Sequence, residues 1–332
     1  MKKKYLLITG CAGFIGSNFT QYVLSKFKNL YILGLDNLSY SSNPKIIHRL
    51  KKKKNFLFVK KNISNSRHIK EIFNKYNIYH VINFAAETHV DNSIFKPDIF
   101  IKTNVIGTFN LLNASKNKWV ETKNKKYFKN SRFLQISTDE VYGSIVKGSF
   151  TENSGYSPNS PYSSSKASSD LLVRSFNKTY KLNTLITNSA NNFGPYQNKE
   201  KFIPTIIKCC NKKKNIPIYG NGSNIRNWLF VKDNNEAIYK VFKKGKIGNN
   251  YNIGSSIELT NLQLVKKICD LYQKIKKDNF NYKSLINFVE DRKGHDLRYS
   301  LSIKKIKNEI GWKPKKNFEN DLIKTIKFYI TK

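Results

Sequence analysis

Two carboxylates stand side by side in the segment STDEVYG, residues 137–143, which directly follows the apolar run RFLQI. The run predicts a buried strand, so Thr138, Asp139 and Glu140 are expected at its carboxyl end. Two like charges in one place raise the pKa of one of them, so that one carboxyl stays protonated while the other is ionised. An adjacent acid and base suit a reaction that moves protons, and a hydrated turn at the end of the strand is the simpler alternative.

A tyrosine and a lysine stand four residues apart in YSSSK, where Tyr162 and Lys166 fall on one face of a predicted helix. A phenol with its ordinary pKa of about 10 is a poor base at neutral pH. A neighbouring ammonium favours the phenolate, and a positively charged nicotinamide would add to that effect. The pair predicts a proton-abstracting tyrosine, and the alternative is an unreactive pair on an amphipathic helix.

A glycine-rich segment, ITGCAGFIGS, stands where the first predicted strand meets the first helix, with Gly10, Gly13 and Gly16 spaced three apart. Such glycines permit a tight turn in which the helix N-terminus faces a pyrophosphate. Three glycines alone are a weak indication, but the second predicted strand ends in Asp36. A carboxylate there accepts from ribose hydroxyls and repels a 2′-phosphate, so the pattern favours NAD over NADP.

Strands alternate with helix-length segments through the first 190 residues, which predicts an α/β fold with a Rossmann-type, doubly wound parallel sheet. The pattern after residue 190 is mixed and predicts a smaller mixed α/β domain. We expect an NAD-binding domain in residues 1–190, to which 228–253 return, and a second domain in 191–227 and 254–332.

The chain has 332 residues and a formal net charge of +38, which raises the alternative of an anion- or nucleic-acid-binding protein. Only seven of the 60 basic residues are arginine, and the lysines are spread over every segment, so we expect no specific nucleic-acid partner. The apolar runs are too short for a membrane span or a signal peptide. Cys11, Cys209, Cys210 and Cys269 show no metal-ligand spacing, so we expect no metal site and a reducing cytoplasm.

The motifs together resemble the extended short-chain dehydrogenase/reductases, and within them the nucleoside-diphosphate-glucose 4,6-dehydratases. The resemblance covers nearly the whole chain and rests on these segments: TGCAGFIGSNF, NFAAETHVDNSI, TNVIGT, STDEVYG, SPYSSSKASSDLLVRS, NNFGPYQNKEKFIP, IPIYGNGSNIRNWLFVKD, YNIGS and DRKGHDLRY.

The resemblance implies a lyase with tightly held NAD that makes a 4-keto-6-deoxy sugar. It implies that the smaller mixed α/β domain, 191–227 and 254–332, is the substrate domain and binds the nucleotide sugar. It implies that Tyr162 removes the 4-hydroxyl proton during oxidation at C4, with Thr138 holding the 4-oxygen. Glu140 would then take the C5 proton while Asp139 protonates the departing 6-hydroxyl. It also implies a homodimer formed through the helices around 97–117 and 162–180.

Site residues are implied by the same motifs. The expected cofactor contacts are Gly10, Gly13, Phe14, Ile15, Gly16, Asp36, Asn37, Leu38, Ser39, Asn62, Ile63, Phe84, Ala85, Ala86, Glu87, Thr103, Tyr162, Lys166 and Asn192. The expected substrate contacts are Thr88, Thr138, Asn191, Lys201, Phe202, Pro217, Ile218, Tyr219, Arg226, Asn261, Arg292 and His295.

Two positions depart from the family pattern. Asn62 stands where an aspartate contacts adenine, and Asn227 replaces an aspartate whose charge would orient Arg226. The substrate half of the chain resembles enzymes of thymidine nucleotides, whereas AAETHVDNS and LDNLSYSSN resemble enzymes of UDP-glucose. We therefore expect dTDP-glucose as substrate, with UDP-glucose as the alternative. A nucleotide-sugar epimerase or decarboxylase is a further alternative, against which Asp139 argues.

Overall fold

Twelve strands and twelve α-helices are formed by the residues that the structure describes. The structure is a computed structural model that describes residues 3–27, 30–123, 125–315 and 317–331, so residues 1 and 332, at the outer bounds of the predicted domains, lie outside it. The strands are β1 (Tyr5–Thr9), β2 (Tyr31–Asp36), β3 (Phe56–Lys60), β4 (Ile78–Asn83), β5 (Phe133–Thr138), β6 (Thr184–Ser189), β7 (Asn191–Phe193), β8 (Ile216–Tyr219), β9 (Ile225–Phe230), β10 (Asn250–Ile253), β11 (Glu258–Thr260) and β12 (Ile286–Val289). The helices are α1 (Phe14–Lys26), α2 (Pro44–Lys51), α3 (Ser66–Lys75), α4 (Val90–Phe95), α5 (Pro97–Phe100), α6 (Gly107–Trp119), α7 (Pro161–Tyr180), α8 (Phe202–Lys212), α9 (Val231–Lys244), α10 (Asn261–Lys276), α11 (Lys304–Ile310) and α12 (Phe318–Ile330).

Seven parallel strands form the large sheet in the order β3-β2-β1-β4-β5-β6-β10. Their apolar runs are buried because helices cover both faces: α1, α2, α9 and α11 pack on one side, and α3, α6 and α7 on the other. The predicted doubly wound Rossmann-type sheet is confirmed. The strand order reverses between β1 and β4, which is where such sheets bind ligands, beyond the carboxyl ends of the strands.

The predicted helix over 97–117 is not one regular helix. It consists of α5, a π-helical segment Ile101–Ile106 and α6. Asn104 lies in the π-helical segment, where its side chain accepts from the Glu87 N–H at 2.8 Å and donates to the Glu87 carbonyl at 3.1 Å. Its amide also donates to Ser165 Oγ at 2.8 Å, so this segment ties α7 to the chain beyond β4.

The remaining strands form two small sheets, β11-β9-β7 and β12-β8, beside a second apolar core that includes α8, α10 and α12. This is the smaller mixed part that the sequence predicts. In the segment 228–253, α9 packs on α1 and β10 joins the large sheet, but β9 lies in the three-stranded sheet. The exact division into domains stays a prediction. None of the described helices is long and apolar enough to cross a membrane.

Candidate active site

The close packing of the first turn against α1 requires glycine at two positions, one in the turn and one in the first turn of the helix. Gly10 has a φ of +65°, and a Cβ there would come within 2.6 Å of the Ala85 nitrogen. A Cβ on Gly16 would come within 2.2 Å of the Gly10 carbonyl oxygen. Helix α1 begins at Phe14 with no side-chain cap, so its first amides are open to an anion.

Asp36 is held rigidly where β2 ends. Its Oδ2 accepts from the Ala12 N–H at 2.9 Å, and its Oδ1 accepts from the Leu38 N–H and Ser42 Oγ, each at 2.8 Å. A carboxylate has about four acceptor positions, so one remains for a ligand. The cavity beside Asp36 is also lined by Gly10, Gly13, Asn37, Ser39, Asn62, Ile63, Phe84, Ala85, Ala86, Glu87 and Thr103.

Two of the predicted contact residues lie outside the cavities. Ile218 is fully buried in the smaller core because side chains alternate along β8, and only Pro217 and Tyr219 face outward. Leu38 packs against the core of the large sheet and contributes its N–H to Asp36. Neither residue lines the cleft, and their predicted contacts with ligand stay predictions.

A second cavity, of about 250 Å³, lies beside the ends of β5 and β6. Residues of β5 and β6 pair in register up to Thr138 and Ser189, where both strands end. The segment STDEVYG therefore begins at this opening. The cavity is lined by Gly10, Gly13, Phe14, Ile15, Gly16, Phe84, Ala86, Thr88, Thr138, Asp139, Glu140, Tyr162, Lys166, Asn191, Asn192 and Lys201, among others.

A third cavity, of about 270 Å³, adjoins the second and opens between the large sheet and the smaller core. Thr88, Glu140, Asn191, Asn192 and Lys201 line both, so the two cavities form one cleft. The predicted substrate residues that line the third cavity are Thr88, Asn191, Lys201, Phe202, Pro217, Tyr219, Arg226, Asn261, Arg292 and His295.

Asp139 and Glu140 have different electrostatic surroundings although they are neighbours. Burial, followed by the charge of Glu140, raises the pKa of Asp139 to about 8, while a hydrogen bond from Thr138 Oγ1 at 3.2 Å opposes the shift. Burial also raises the pKa of Glu140, but Arg292, Arg226 and Lys201 counteract it. Asp139 is therefore the carboxyl favoured as the acid at neutral pH, while the three nearby cations favour the ionised form of Glu140.

The predicted lowering of the Tyr162 pKa is not found in the protein alone. Burial and the charges of Glu140, Asp139 and Asp170 raise the pKa of Tyr162 well above its ordinary value, against a hydrogen bond from Thr138. Lys166 donates to the Ile136 carbonyl at 2.6 Å, and burial lowers its pKa to about 8. An additional positive charge in the cleft would lower the pKa of Tyr162.

Arg226 is oriented by backbone carbonyls rather than by residue 227. Its guanidinium donates to the Ile225 and Asp296 carbonyls at 2.8 and 2.9 Å and lies 4.3 Å from the centre of the Tyr299 ring. Asn227 instead donates to the Ser255 carbonyl at 2.7 Å and accepts from its N–H at 2.8 Å. No hydrogen bond joins the Asn227 side chain to Arg226 among the described residues, and the effect of the Asn227 departure on Arg226 stays a prediction.

The other departure, Asn62, keeps its amide N–H groups available, since its Oδ1 accepts from the Ser64 N–H and Oγ at 2.9 Å each.

Several cleft residues were not predicted. They are Ser41, which lines the first two cavities; Glu200 and Gln197, which line the second and third; and Tyr299 in the third. Glu200 precedes Lys201 within the segment NKEKFIP, so its position in a motif was the available indication. Tyr299 likewise ends the segment DRKGHDLRY, and the fold places its ring against the Arg226 guanidinium.

A glycine-rich first turn, an acidic residue after the second strand and a Tyr-x-x-x-Lys pair at the same edge of the sheet define an extended short-chain dehydrogenase/reductase. The sequence model of the family described as GDP-mannose 4,6 dehydratase matches residues 7–325. The chain is 44% identical to a dTDP-glucose 4,6-dehydratase of Haemophilus influenzae, over 98% of this chain and 97% of that protein.

Solved structures agree with this relationship. A dTDP-glucose 4,6-dehydratase of Streptomyces venezuelae, solved with NAD bound, superposes with a TM-score of 0.89 at 38% identity, covering 98% of this chain and 96% of that one. A UDP-glucose 4-epimerase of Thermotoga maritima has the same fold at 26% identity, with a TM-score of 0.85 and coverage of 98% and 99%. The chain belongs to the dTDP-glucose 4,6-dehydratase family.

Proposed function

We propose that this protein is an NAD-dependent lyase that converts dTDP-glucose into its 4-keto-6-deoxy derivative. The observation that supports this proposal best is the adjacent pair Asp139 and Glu140 in one cleft with Tyr162. One carboxyl is favoured as an acid and the other as a base, which an oxidation alone would not require.

The residues of the cleft fit NAD. The glycine turn brings backbone close to the opening, and Asp36 keeps one acceptor position for a ribose hydroxyl. The side-chain oxygens of Asn191 and Asn192 are buried without a hydrogen-bond partner among the described residues, so the cleft has acceptors for a polar ligand. When bound, NAD supplies the oxidant for C4 of the sugar and the reductant for C6.

The chain's own groups would move the protons. Tyr162 accepts the proton of the 4-hydroxyl, and Thr138 donates a hydrogen bond to the 4-oxygen. The ketone at C4 acidifies the proton on C5, which Glu140 removes. Asp139 gives its proton to the 6-hydroxyl, which leaves as water.

The proposed function is tested by incubating the purified protein with dTDP-glucose and measuring the alkaline absorbance of 4-keto sugars. We expect a 4-keto product without added reductant. Formation of a 4-epimer, or loss of carbon dioxide from a uronic acid substrate, would support the alternative enzymes of this fold. No conversion of any nucleotide sugar would leave an anion-binding protein as the remaining interpretation.

Replacing Asp36 with alanine should weaken NAD more than NADP. The carboxylate accepts hydrogen bonds from the ribose of NAD and repels a 2′-phosphate, so its loss should lower NAD affinity by about tenfold, the effect of one charge-assisted bond. Titration of the protein with each cofactor measures this. Equal weakening of both would show that Asp36 is not the ribose ligand.

The enzyme should prefer dTDP-glucose to UDP-glucose by about tenfold in kcat/KM, because a pocket distinguishes one methyl group by about 1–3 kcal/mol. The preference should arise in binding, since the reacting hexose is the same. The third cavity, with Pro217 and Tyr219 on its wall, is the proposed location of the base. Competition between the two substrates at limiting concentrations decides it, and a ratio near one would favour the UDP-glucose alternative.

We further propose a homodimer. Large apolar side chains are exposed along α4 to α7, among them Phe95 at 81% and Leu171 at 53%, together with Ile99, Ile101, Ile106 and Phe109. Covering such a face with a second copy removes it from water. Leu171→Asp should give a particle of one chain mass in light scattering, whereas the matched control Val146→Asp, at an exposed apolar position elsewhere, should stay dimeric. A dimeric Leu171→Asp protein would place the interface elsewhere.

A cytoplasmic location is proposed from the cysteines. Cys11, Cys209, Cys210 and Cys269 are all free thiols, and three of them are buried. Unpaired thiols suit a reducing compartment.

A further inference from the structure

One buried carboxylate near the cleft has no role in the proposed reaction. Asp170 lies one helical turn after Lys166 and two turns after Tyr162, on the buried face of α7. Its side chain is completely shielded from solvent and lines neither the cleft nor the cavity beside Asp36. A buried charge is unfavourable unless it is paired and hydrogen-bonded, so its presence there needs a reason.

The carboxylate is held by a set of neutral donors. Its Oδ2 accepts from Ser137 Oγ at 2.5 Å, from the Tyr156 hydroxyl at 3.2 Å and from Asn188 Nδ2 at 3.4 Å. Oδ1 has no partner among the described residues. Asn188 Nδ2 also donates to the Thr138 carbonyl at 3.3 Å, so the same set of contacts supports the end of β5 that carries the catalytic acids.

Lys166, one helical turn before Asp170 on the same buried face of α7, is the cation whose charge this carboxylate favours. Its ammonium is buried and donates to a neutral acceptor, the Ile136 carbonyl. Burial lowers the pKa of Lys166 to about 8, and the charge of Asp170 opposes that shift. An ammonium that lost its proton could no longer stabilise a tyrosinate at Tyr162.

We propose that Asp170 is a positioning residue that acts through Lys166: it keeps the buried lysine charged, so that Tyr162 can accept the substrate proton. The inference rests on the proposed function, because it assigns Asp170 to the same oxidation step.

The other groups that face Asp170 do not supply this charge. Besides Lys166, the titratable groups near Asp170 are three tyrosines. Tyr162 lies on α7, Tyr156 in the loop before α7, and Tyr142 in the 3-10 turn after β5. Burial and the charge of Asp170 raise the pKa values of Tyr142 and Tyr156, so both stay neutral. Strand β6 contributes the neutral Asn188. Asp139 and Glu140 carry like charge and act on Tyr162.

The test compares Asp170→Asn with Asp170→Glu in an Asp139→Asn enzyme, where blocked water elimination leaves the first oxidation to be observed alone. The pH dependence of reduced-cofactor formation is followed by stopped-flow absorbance. Asp170→Asn should move the alkaline limb to lower pH by about one unit, because the lysine loses its proton earlier. Asp170→Glu should restore the limb, and KM should stay unchanged since Asp170 does not line the cleft.

Tyr156→Phe is the control for packing, because it removes one hydrogen bond and leaves the charge. It should lower the midpoint of thermal unfolding without moving the alkaline limb. A limb that stays in place in Asp170→Asn while the wild-type enzyme converts dTDP-glucose would overturn the role of Asp170 and leave the proposed function standing. A wild-type enzyme without activity towards any nucleotide sugar would overturn both.

Should Asp170→Asn fail to fold, Ser137→Ala provides the second test. Burial raises the pKa of Asp170 to about 6, and Lys166 and the Ser137 hydrogen bond oppose that shift. Loss of the hydrogen bond should therefore move the acid limb of the same oxidation to higher pH. An acid limb that does not move would contradict the requirement for an ionised Asp170.

Discussion

Asp139→Asn is expected to oxidise the sugar and then stop, so that reduced cofactor accumulates in a single turnover. The amide has nearly the shape of the acid but no proton to give to the 6-hydroxyl, and loss of one acid–base group lowers the rate by about 10²–10⁴-fold. Stopped-flow absorbance of the reduced cofactor, combined with rapid quenching to identify the sugar, measures both steps.

The pH dependence of water elimination by the wild-type enzyme should also reveal the titration of Asp139. Since the pKa of Asp139 is raised to about 8 by burial and Glu140, elimination should slow as pH rises through that value. Asp270→Asn, at an exposed ion pair with Lys283, is the matched control and should behave as wild type. Water elimination by Asp139→Asn at the wild-type rate would refute the assignment of the acid.

Tyr162→Phe is expected to abolish the first oxidation, so that no reduced cofactor forms. The ring packs as before, but the hydroxyl that accepts the proton is gone, and the expected loss is again about 10²–10⁴-fold. Substrate affinity, measured by calorimetry, should change far less, because only one of many cleft contacts is removed.

Tyr180→Phe, on the partly exposed end of the same helix, is the matched control and should keep full activity. Reduced cofactor that formed in Tyr162→Phe at the wild-type rate would mean that another group accepts the proton. The pKa of Tyr162 is raised in the protein without ligand, so the phenol should titrate at lower pH once NAD, with its positively charged nicotinamide, is bound.

The parts of the fold that are specified locally could be predicted from the sequence. Apolar runs bounded by turn residues predicted the six strands of the large sheet that precede residue 190, because helices cover both faces of that sheet. The glycine turn and Asp36 are recognisable because both belong to one strand–helix–strand unit. Tyr162 and Lys166 are close because one helical turn separates them.

Features that depend on distant partners could not be predicted in the same way. The Asn227 side chain donates to the carbonyl of Ser255, 28 residues further along the chain. The Arg226 guanidinium donates to the carbonyl of Asp296, 70 residues away. The pKa of Tyr162 is raised chiefly because the folded chain buries its side chain, which the sequence alone does not reveal. The π-helical segment holds Asn104 against the Glu87 backbone, a contact that helical periodicity does not contain.

Strand β8 has a consequence for how this enzyme could evolve. Ile216 and Ile218 are anchored in the smaller core, whereas Pro217 and Tyr219 face the cleft. Truncating a core isoleucine to alanine costs about 2–5 kcal/mol, a large part of the stability of a typical domain. The outward positions are free of that constraint, so drift at residues 217 and 219 can change ligand preference while the scaffold is retained. Alternation along a single strand thus lets selection act on specificity and on folding at separate residues.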